Sequence, residues 1–573
     1  LDRLFLQGLV DELSPGLIGR RIRSAAVDRS ARLFFLELGP PRPSTLVLSY
    51  LREAPGAFLS NERPPRERAA TPGSKRLAST RIVSFAIAKL DRILTLALQG
   101  QRASGRTTAL RLMVEVMGAR ADLFVVDDET GGIIEVFSSG RSRLGPGDRY
   151  ELPSPPPSAM PLAENGDEVE RRLAQGSPAL APRQALLAAT GSTPLLVREI
   201  ERRMEREGEP AGEAYSKVRA RLDEKRPFLY APLADSKDAR TLLSPLELSS
   251  VGGDLRPREH RSFSSALAEA VAIESEARAR SMARGRLESA LERERSRLLR
   301  LDEKLAAEES SREDPDELRR RGELLLAGLS RARRSADGKT VALPDLFAPV
   351  ERETEIEIDP RRSLPKNAER FFDRARRAER AGVELSKRRE SVSKGIARWE
   401  AFAFDLRDAR TLEELETLAG EAAEEGLRLP ESAKSAPRKR PAEPLGPRKF
   451  QTGRGAVILV GRSGRSNDEL TFEVASPQDL WLHARGVPGA HVVLRARPGE
   501  APEEAEIQEA AELAAYFSKS REDSYVDVIV TERRHVSRIR GAPRGLVKVS
   551  PATETRTVRV APRPPRTRPS DGP

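Results

Sequence analysis

The chain has 573 residues, long enough for several domains, and its 38% hydrophobic and 33% charged composition is not that of a membrane-spanning protein. No apolar run approaches the roughly twenty residues of a transmembrane helix, so no membrane partner is expected. A net charge of +11 and a pI near 9.9 favour polyanions, nucleic acid first and acidic membrane second, but 88 acidic residues accompany 99 basic ones, so useful charge has to be locally segregated.

No signal-peptide pattern opens the chain, and it starts at Leu1, so a few native residues are expected to precede it. The absence of cysteine suits a cytoplasmic protein. With no close His pair or carboxylate at ligand spacing either, no metal or cofactor is expected.

In chain order, the first part reads as β-rich. Strands are predicted at Leu33 to Leu38, Thr45 to Ser49, Ile82 to Ile87, Ile93 to Leu98, Leu110 to Met117, Ala121 to Asp127 and Ile133 to Phe137, separated by Gly, Pro, Asp and Ser. Between two of them, Asp91-Arg92 reads as a turn residue beside a surface cation. Adjacent strand residues point to opposite faces, so the two do not form a simple salt bridge. Arg92 has the geometry to fork onto a phosphate or base edge, with Asp91 orienting a neighbour or accepting a base amino group.

The Pro-rich stretch Leu152 to Pro157 marks a boundary, and helices follow at Pro182 to Ala189 and Pro194 to Met204, the second with Thr193 as N-cap and Pro194 in its first turn. From about Ser264 to Glu309, Leu287, Leu291, Leu298, Leu301 and Leu305 follow a heptad seam interrupted at Glu294. From Pro365 a second long helix carries Val392, Ile396, Trp399, Ala403 and Leu406 at spacings of four, three, four and three. Two such helices would pair antiparallel as a coiled-coil arm. Strand-like and helical pieces lie between them, at Arg321 to Leu329 and Thr354 to Ile358.

After a basic Pro/Lys/Arg-rich linker, the apolar run Val457 to Val460 enters a Gly-rich turn, Gly461 to Asp468. Strands are predicted at Leu470 to Val474, Leu480 to His483 and His491 to Leu494, the last after the turn Gly486-Val487-Pro488-Gly489. Alternation sends Trp481 and His483 to one face, so Trp481, His483, Arg485, His491 and Arg495 would converge on one surface as stacking planes beside cations. Such rings in strands are usually packed within a domain. Three of the four histidines (His483, His491, His535) nevertheless fall in this segment. In a helix from Glu503 to Lys519, Ile507, Ala510, Ala511, Ala514 and Phe517 would pack on the sheet. Lys519 would then emerge beside Arg533, Arg534 and His535, which follow the strand Tyr525 to Val530.

Two blocks, ILVGRSGRSNDELTFEVASPQDLWLHARGVPGAHVVLR and AAYFSKSREDSYVDVIVTERRHV, in this order and at this separation, resemble the RNA-binding domain of the NFACT family. The likeness extends over almost the whole chain, through Lys89-Leu90-Asp91-Arg92-Ile93, Val114 to Gly118, Gly191 to Leu195, Gly322 to Leu325, Ile358-Asp359-Pro360 and Lys366 to Phe372. It implies a multidomain α+β fold: a β-rich NFACT-N domain (1–165), a helix-hairpin-helix-like module (166–255), a coiled-coil arm with a middle insert (262–428), a basic linker (429–450), an α/β NFACT-R domain (451–562) and a disordered tail (563–573).

The resemblance further implies a ribosome-associated quality-control factor. Such a protein binds large ribosomal subunits (rRNA and proteins) that carry peptidyl-tRNA, and recruits alanyl-tRNA for template-free tailing of the nascent chain, which marks it for degradation. Peptide-bond chemistry stays with the ribosome, so no catalytic residue is assigned. Asp91 and Arg92 would engage tRNA. Arg462, Arg465, Asn467, Trp481, His483, Arg485, His491, Lys519, Arg534 and His535 would contact RNA.

The chain departs from the family pattern at Gly73 to Leu77 and within Ala119 to Asp122, both near the expected tRNA contact. It has no GxxxxGK[ST] loop and no nucleophile–His–acid arrangement. Three rival classes remain, one of them a pure coiled-coil scaffold, which would explain the middle of the chain but would not need the aromatic and basic final domain. A DNA glycosylase would share the fold of the first domain, but it would need an N-terminal Pro nucleophile where Leu1-Asp2 stands. A fibronectin-binding surface adhesin would need a signal or an anchor.

Overall fold

A computed structural model describes residues 2–573 apart from 63–70, 102–106, 118–119, 141, 155–159, 178, 234–239, 349–351, 430–445, 496, 498–499, 541, 543, 551–552, 561–567 and 570–573. The prolines at 155–157, Gly118 and Ala119, most of the basic linker and most of the tail lie outside the described residues. The chain divides into two compact units, Leu1–Ser281 and Met282–Pro573.

The first unit opens with a helix that the strand-based reading passed over. Arg3–Leu17 is N-capped by Asp2, whose carboxylate accepts the Leu4 N–H at 2.7 Å. Its Phe5, Leu6, Leu9, Val10, Leu13 and Leu17 are buried on one face. Two antiparallel meanders follow, four strands from Ile22–Asp28 to Gly56–Ser60 and five from Arg81–Ile87 to Ile133–Ser138. All seven predicted strands are among them. In Leu33–Leu38 the alternation is literal, with Phe34, Leu36 and Leu38 buried and the residues between them half-buried.

Four helices come next, Gly166–Gln175, Pro182–Thr190, Pro194–Glu207 and Ala211–Asp223. The first and last meet backbone to backbone at Gly166 and Gly212. A Cβ on Gly212 would lie 2.5 Å from the Gly166 carbonyl oxygen, so only glycine fits there.

In the second unit, the helix Leu364–Asp408 runs antiparallel to the later turns of Phe263–Ser310. Arg284 donates to the Leu406 carbonyl at 2.6 Å, and Arg389 pairs with Asp302 at 3.2 Å. Leu287, Leu291, Leu298 and Leu305 are buried with Leu385, Val392, Trp399 and Leu406, while Leu301 and Ile396 are half-buried. Ala403 leaves the expected seam. It is exposed beside a groove of about 320 Å³ that it shares with Leu291, Trp399 and Leu406.

Between the long helices stand the helix Pro315–Ala327 and a small sheet, Arg333–Arg334, Thr340–Pro344 and Glu353–Glu357. Buried Asn367 closes this part. Its Oδ1 accepts the Asp359 N–H at 2.8 Å and its Nδ2 donates to the Asp359 carbonyl at 3.1 Å.

The last domain is a seven-stranded antiparallel sheet in the order 554–559, 525–532, 480–484, 492–494, 457–460, 448–451, 568–569. One face is covered by the helix Glu504–Tyr516 through Ala510, Ala511, Leu513, Ala514, Ala515 and Phe517 of the adjoining turn.

Two expectations fail here. The Gly-rich turn is instead the start of a helix, Gly464–Glu469, capped by Ser463, whose hydroxyl accepts the Ser466 N–H at 3.2 Å. The expected strand Leu470–Val474 is a π-helical turn continuing it. Alternation of Leu470, Phe472 and Val474 mimicked a strand, but only Leu470 and Thr471 are buried in this turn. Strand Val457–Val460 pairs with Val492–Leu494 instead.

Gly212→Ala is expected to cost about 1–3 kcal/mol by forcing the two helices apart. A lowered urea midpoint for the first unit, with Gly252→Ala, where a Cβ meets nothing within 4 Å, as comparison, would register it; an unchanged midpoint would mean the contact has slack.

Candidate nucleic-acid interface

In the first unit, Asp91 and Arg92 sit where strands Arg81–Ile87 and Ile93–Gln101 turn. Leu90 takes the left-handed conformation (φ 63°), and the Ala88 N–H donates to the Ile93 carbonyl at 2.8 Å. The Asp91 carboxylate accepts the Arg92 backbone N–H at 2.7 Å. This contact fixes the turn.

Both residues line a cleft of about 960 Å³, at the upper end of small-ligand sites. Its opposite wall is Gly191-Ser192-Thr193-Pro194, with apolar Met160, Leu180 and Leu187 and, from the first helix, Asp2 and Arg3. Gly191 is left-handed (φ 62°), and a Cβ there would lie 2.1 Å from the Pro161 carbonyl oxygen.

Thr193 is the N-cap residue of its helix, yet its hydroxyl makes no cap bond. It donates to Asp2. Asp2 thus ties two helices together at the cleft, and burial raises its carboxyl above the ordinary carboxylate range against the pull of Thr193 and the Leu4 N–H. Asp2 and Arg3 were missed by motif reading; the visible clue was Asp2 standing as a cap before an amphipathic run.

In the second unit, Trp481 and His483 do share a face, with rings stacked at 5.6 Å and 19°. His491 meets both edge-on, at 5.0 and 5.3 Å. This face is not open. Trp481 is 1% exposed and packs with Leu459, Leu470, Val493 and Val536.

A buried relay runs through the cluster. Trp481 Nε1 donates to Thr471 Oγ1 at 3.2 Å, Thr471 Oγ1 lies 2.7 Å from His491 Nδ1, and His491 Nε2 lies 3.0 Å from the Gly545 carbonyl oxygen. The Gly545 carbonyl can only accept, so His491 carries its proton on Nε2, and Nδ1 of the neutral ring accepts from the Thr471 hydroxyl, which in turn accepts from the indole. Burial pushes His483 down to about 4, and burial and then His483 push His491 down to about 3. Asn467 is buried as well. Its Oδ1 accepts the His491 N–H at 3.0 Å and its Nδ2 donates to the Gly489 carbonyl at 3.3 Å. Trp481, His491 and Asn467 therefore form core in place of the expected stacking surface, with His483 half-buried against them, because the helix and π-turn 464–474 cover that face.

The arginines of the Gly-rich segment are held by carboxylates. Arg462 pairs with Glu414 at 2.6 Å, which also takes Arg448 at 3.4 Å, and Arg465 pairs with Glu469 at 2.9 Å. Ser463 donates to Glu421 at 3.1 Å and the Gly464 N–H to Asp405 at 3.1 Å. Desolvation, then Glu421 and Asp408, pushes the Asp405 carboxyl up to about 8, with the Gly464 N–H working against them.

Arg485, Lys519, Arg534 and His535 are exposed, but they do not form one cluster. Lys519 N–H donates to the Pro488 carbonyl at 2.8 Å and Arg485 N–H to Asp527 at 2.7 Å, whereas Arg534 N–H reaches Pro477 at 3.0 Å. Pro477 and Pro488 flank opposite ends of strand Leu480–Ala484, so the two groups stand roughly 15–20 Å apart at 3.3 Å per residue. Antiparallel pairing of Leu480 with Leu494 likewise puts Arg495 at the end away from Arg485. Arg534 also pairs with Glu532 at 2.6 Å, and His535 Nδ1 lies 3.3 Å from Thr531 Oγ1. Among the described residues, no group of three or more His, Asp or Glu converges at metal-ligand geometry, and no helix is long and apolar enough to cross a membrane.

A cleft beside an Asp-Arg turn in one unit, with paired long helices and a cation-bearing, helix-backed sheet in the other, defines a multidomain α+β protein with two separate candidate binding surfaces. The chain belongs to the NFACT family: residues 2–441 match the model described as NFACT N-terminal and middle domains, and residues 447–549 the one described as NFACT protein RNA binding domain. It is 26% identical to the Rqc2 homolog RqcH of Bacillus subtilis (strain 168) over 570 residues, 95% of each chain. It is also 26% identical to the Rqc2 homolog RqcH of Streptococcus pneumoniae serotype 2 (strain D39 / NCTC 7466) over 582 residues, 98% of each. Among solved structures, the C-terminal part of the fibronectin/fibrinogen-binding protein from Streptococcus suis is similar at 25% identity and a TM-score of 0.38, over 50% of this chain and 95% of that one.

Two expectations follow from the second unit. Thr471→Val strands the Trp481 and His491 ring nitrogens and should cost about 1–3 kcal/mol for each buried group left unpaired; calorimetry showing no loss would mean the relay is dispensable. Asp405 is raised in the folded chain, so its contribution to stability is complete below the ordinary value of 3.8 and is lost as pH rises through about 8. Asp405→Asn keeps an acceptor for Gly464, and should flatten the fall in melting temperature between those limits. A wild-type-like slope in the variant would place the titration elsewhere.

Proposed function

We propose that this chain is a ribosome-associated quality-control factor. It binds large ribosomal subunits that still carry peptidyl-tRNA and recruits tRNA, alanyl-tRNA in particular, for template-free extension of the nascent chain, so that the tailed product is degraded. The reading rests above all on likeness across both chains' full extent to proteins named Rqc2 homolog RqcH.

In this reading the chain works in the cytoplasm, and it positions RNA while the ribosome forms the peptide bond. The domains are divided as the sequence predicts, with the long helices as a coiled-coil arm. Asp91 and Arg92 engage tRNA from the cleft, where Asp91 holds the turn and Arg92 offers a planar fork for phosphate or a base edge. Exposed Arg485, Lys519, Arg534 and His535 contact RNA. Arg462 and Arg465 reach it only by exchanging carboxylate for phosphate, and Trp481, His483, His491 and Asn467 act by holding the domain's shape.

Asp91→Ala combined with Arg92→Ala is expected to lower tRNA co-purifying with the chain roughly tenfold or more, the worth of one or two charge-assisted hydrogen bonds. Co-sedimentation with large subunits should persist. Sequencing RNA crosslinked to the wild-type chain identifies the tRNA; recovery of neither tRNA nor large-subunit rRNA would overturn the reading.

A further inference from the structure

Between Glu532 and Glu554 the sequence holds six cations, Arg533, Arg534, Arg538, Arg540, Arg544 and Lys548, and no acid. In a chain whose charges otherwise nearly balance, this is the local segregation that a polyanion partner requires. The structure makes it a ribbon. Val536–Arg538 pairs antiparallel with Val547–Val549, as a two-stranded sheet of its own outside the seven-stranded one.

The ribbon is anchored, not loose. Val536 is buried beside Trp481 and Leu470, and the Ser550 N–H donates to the His535 carbonyl at 3.0 Å. Gly545 is pinned from both sides, its N–H donating to Asp468 at 2.9 Å and its carbonyl meeting His491 Nε2 at 3.0 Å. The histidine relay therefore fixes the base of the ribbon. Arg534, Arg538, Arg540 and Lys548 stay exposed around it.

Among the described residues, the phenyl ring at this surface is already used, and the imidazole of His535 at the foot of the ribbon has its Nδ1 3.3 Å from Thr531 Oγ1. Guanidinium carbons of Arg533 and Arg538 lie 5.2 and 4.6 Å from the centre of Phe472, which orients two cations and withdraws the ring face from bases. Trp481 is enclosed. Unpaired bases are normally gripped by stacking on exposed rings, whereas double-helical RNA is read through its backbone and shape. Cations held on a rigid ribbon whose phenyl ring is taken up by two of its own arginines suit the second target.

We propose that the ribbon Val536–Arg538/Val547–Val549, with Arg534, Arg540 and Lys548, docks on the sugar–phosphate backbone of double-helical RNA. The inference rests on the RNA-binding reading given above, and specifies the surface and the form of RNA. Exposed Ile539 and Leu546 near the same ribbon would instead suit an acidic membrane, so the test carries that alternative.

Full-length chain is titrated with a blunt RNA duplex, with oligouridine of equal phosphate count, and with phosphatidylserine–phosphatidylcholine vesicles across a salt series. The expected result is preference for the duplex over oligouridine. The triple variant Arg534→Gln, Arg540→Gln, Lys548→Gln should keep the wild-type melting temperature and lose roughly tenfold or more in duplex affinity. Its log affinity against log salt should be shallower by about one unit for each contact removed. Lys548→Arg should bind as wild type.

Equal affinity for oligouridine, unchanged duplex binding and salt slope in the triple variant, or tighter binding to vesicles than to duplex would each overturn the proposal. If the triple variant keeps duplex binding while wild type still sediments with large subunits, only the ribbon assignment falls. If wild type binds neither RNA nor large subunits, the function proposed above falls with it.

Discussion

Closure of the C-terminal sheet on both faces decides which side chains of the second unit can meet a ligand. The helix Glu504–Tyr516 covers one face, and the segment Gly464–Val474 with the flanking ribbon covers the other. A tryptophan and two histidines that would make a stacking platform on an open sheet are thereby turned inward, where desolvation keeps both imidazoles neutral. Arg485, Lys519 and Arg534 stand instead at the rims, with their heads in water.

The same segment meets the carboxylates of the helices before it. Glu414, Glu421 and Asp405 accept from Arg462, Ser463 and the Gly464 N–H, donors of the kind that phosphate would otherwise take. The contacts lie in one seam with Arg448, which is largely desolvated and whose guanidinium is pulled below its ordinary range by burial. Breaking one partner here leaves an uncompensated charge behind, so the seam is held by the cost of separation as much as by attraction.

The strands of the first unit were legible because they alternate, as Leu33–Leu38 does, or run apolar, as the wholly buried Thr45–Ser49 does, and Gly, Pro and Asp punctuate them; both of these were located to the residue. The helix Arg3–Leu17 is written as plainly in the 3.6-residue periodicity of Phe5, Leu6, Leu9, Leu13 and Leu17. Leu470–Val474 shows the opposite limit. Five residues of alternating polarity satisfy a strand and a helical turn alike, and the choice fell to Ser463 as a cap and to the neighbour that Val457–Val460 found further along. At the candidate sites, the Asp91-Arg92 turn was visible as a motif, but the cleft wall from Gly191 to Pro194 and the Asp2 tie are long-range contacts that no local pattern reports. Composition identified ring-bearing and basic residues near the carboxy end correctly. Only three dimensions show that the rings are structural and that Arg485 and Arg534 stand at opposite ends of one strand.

Because His483 and His491 surrender their protons so readily, mild acidification leaves this domain's interior electrically silent. The exposed cations described on its outer rim are guanidinium and ammonium groups, with the imidazole of His535 among them. Attraction of a polyanion to such a rim is screened over about a Debye length, so ionic strength sets how far it reaches.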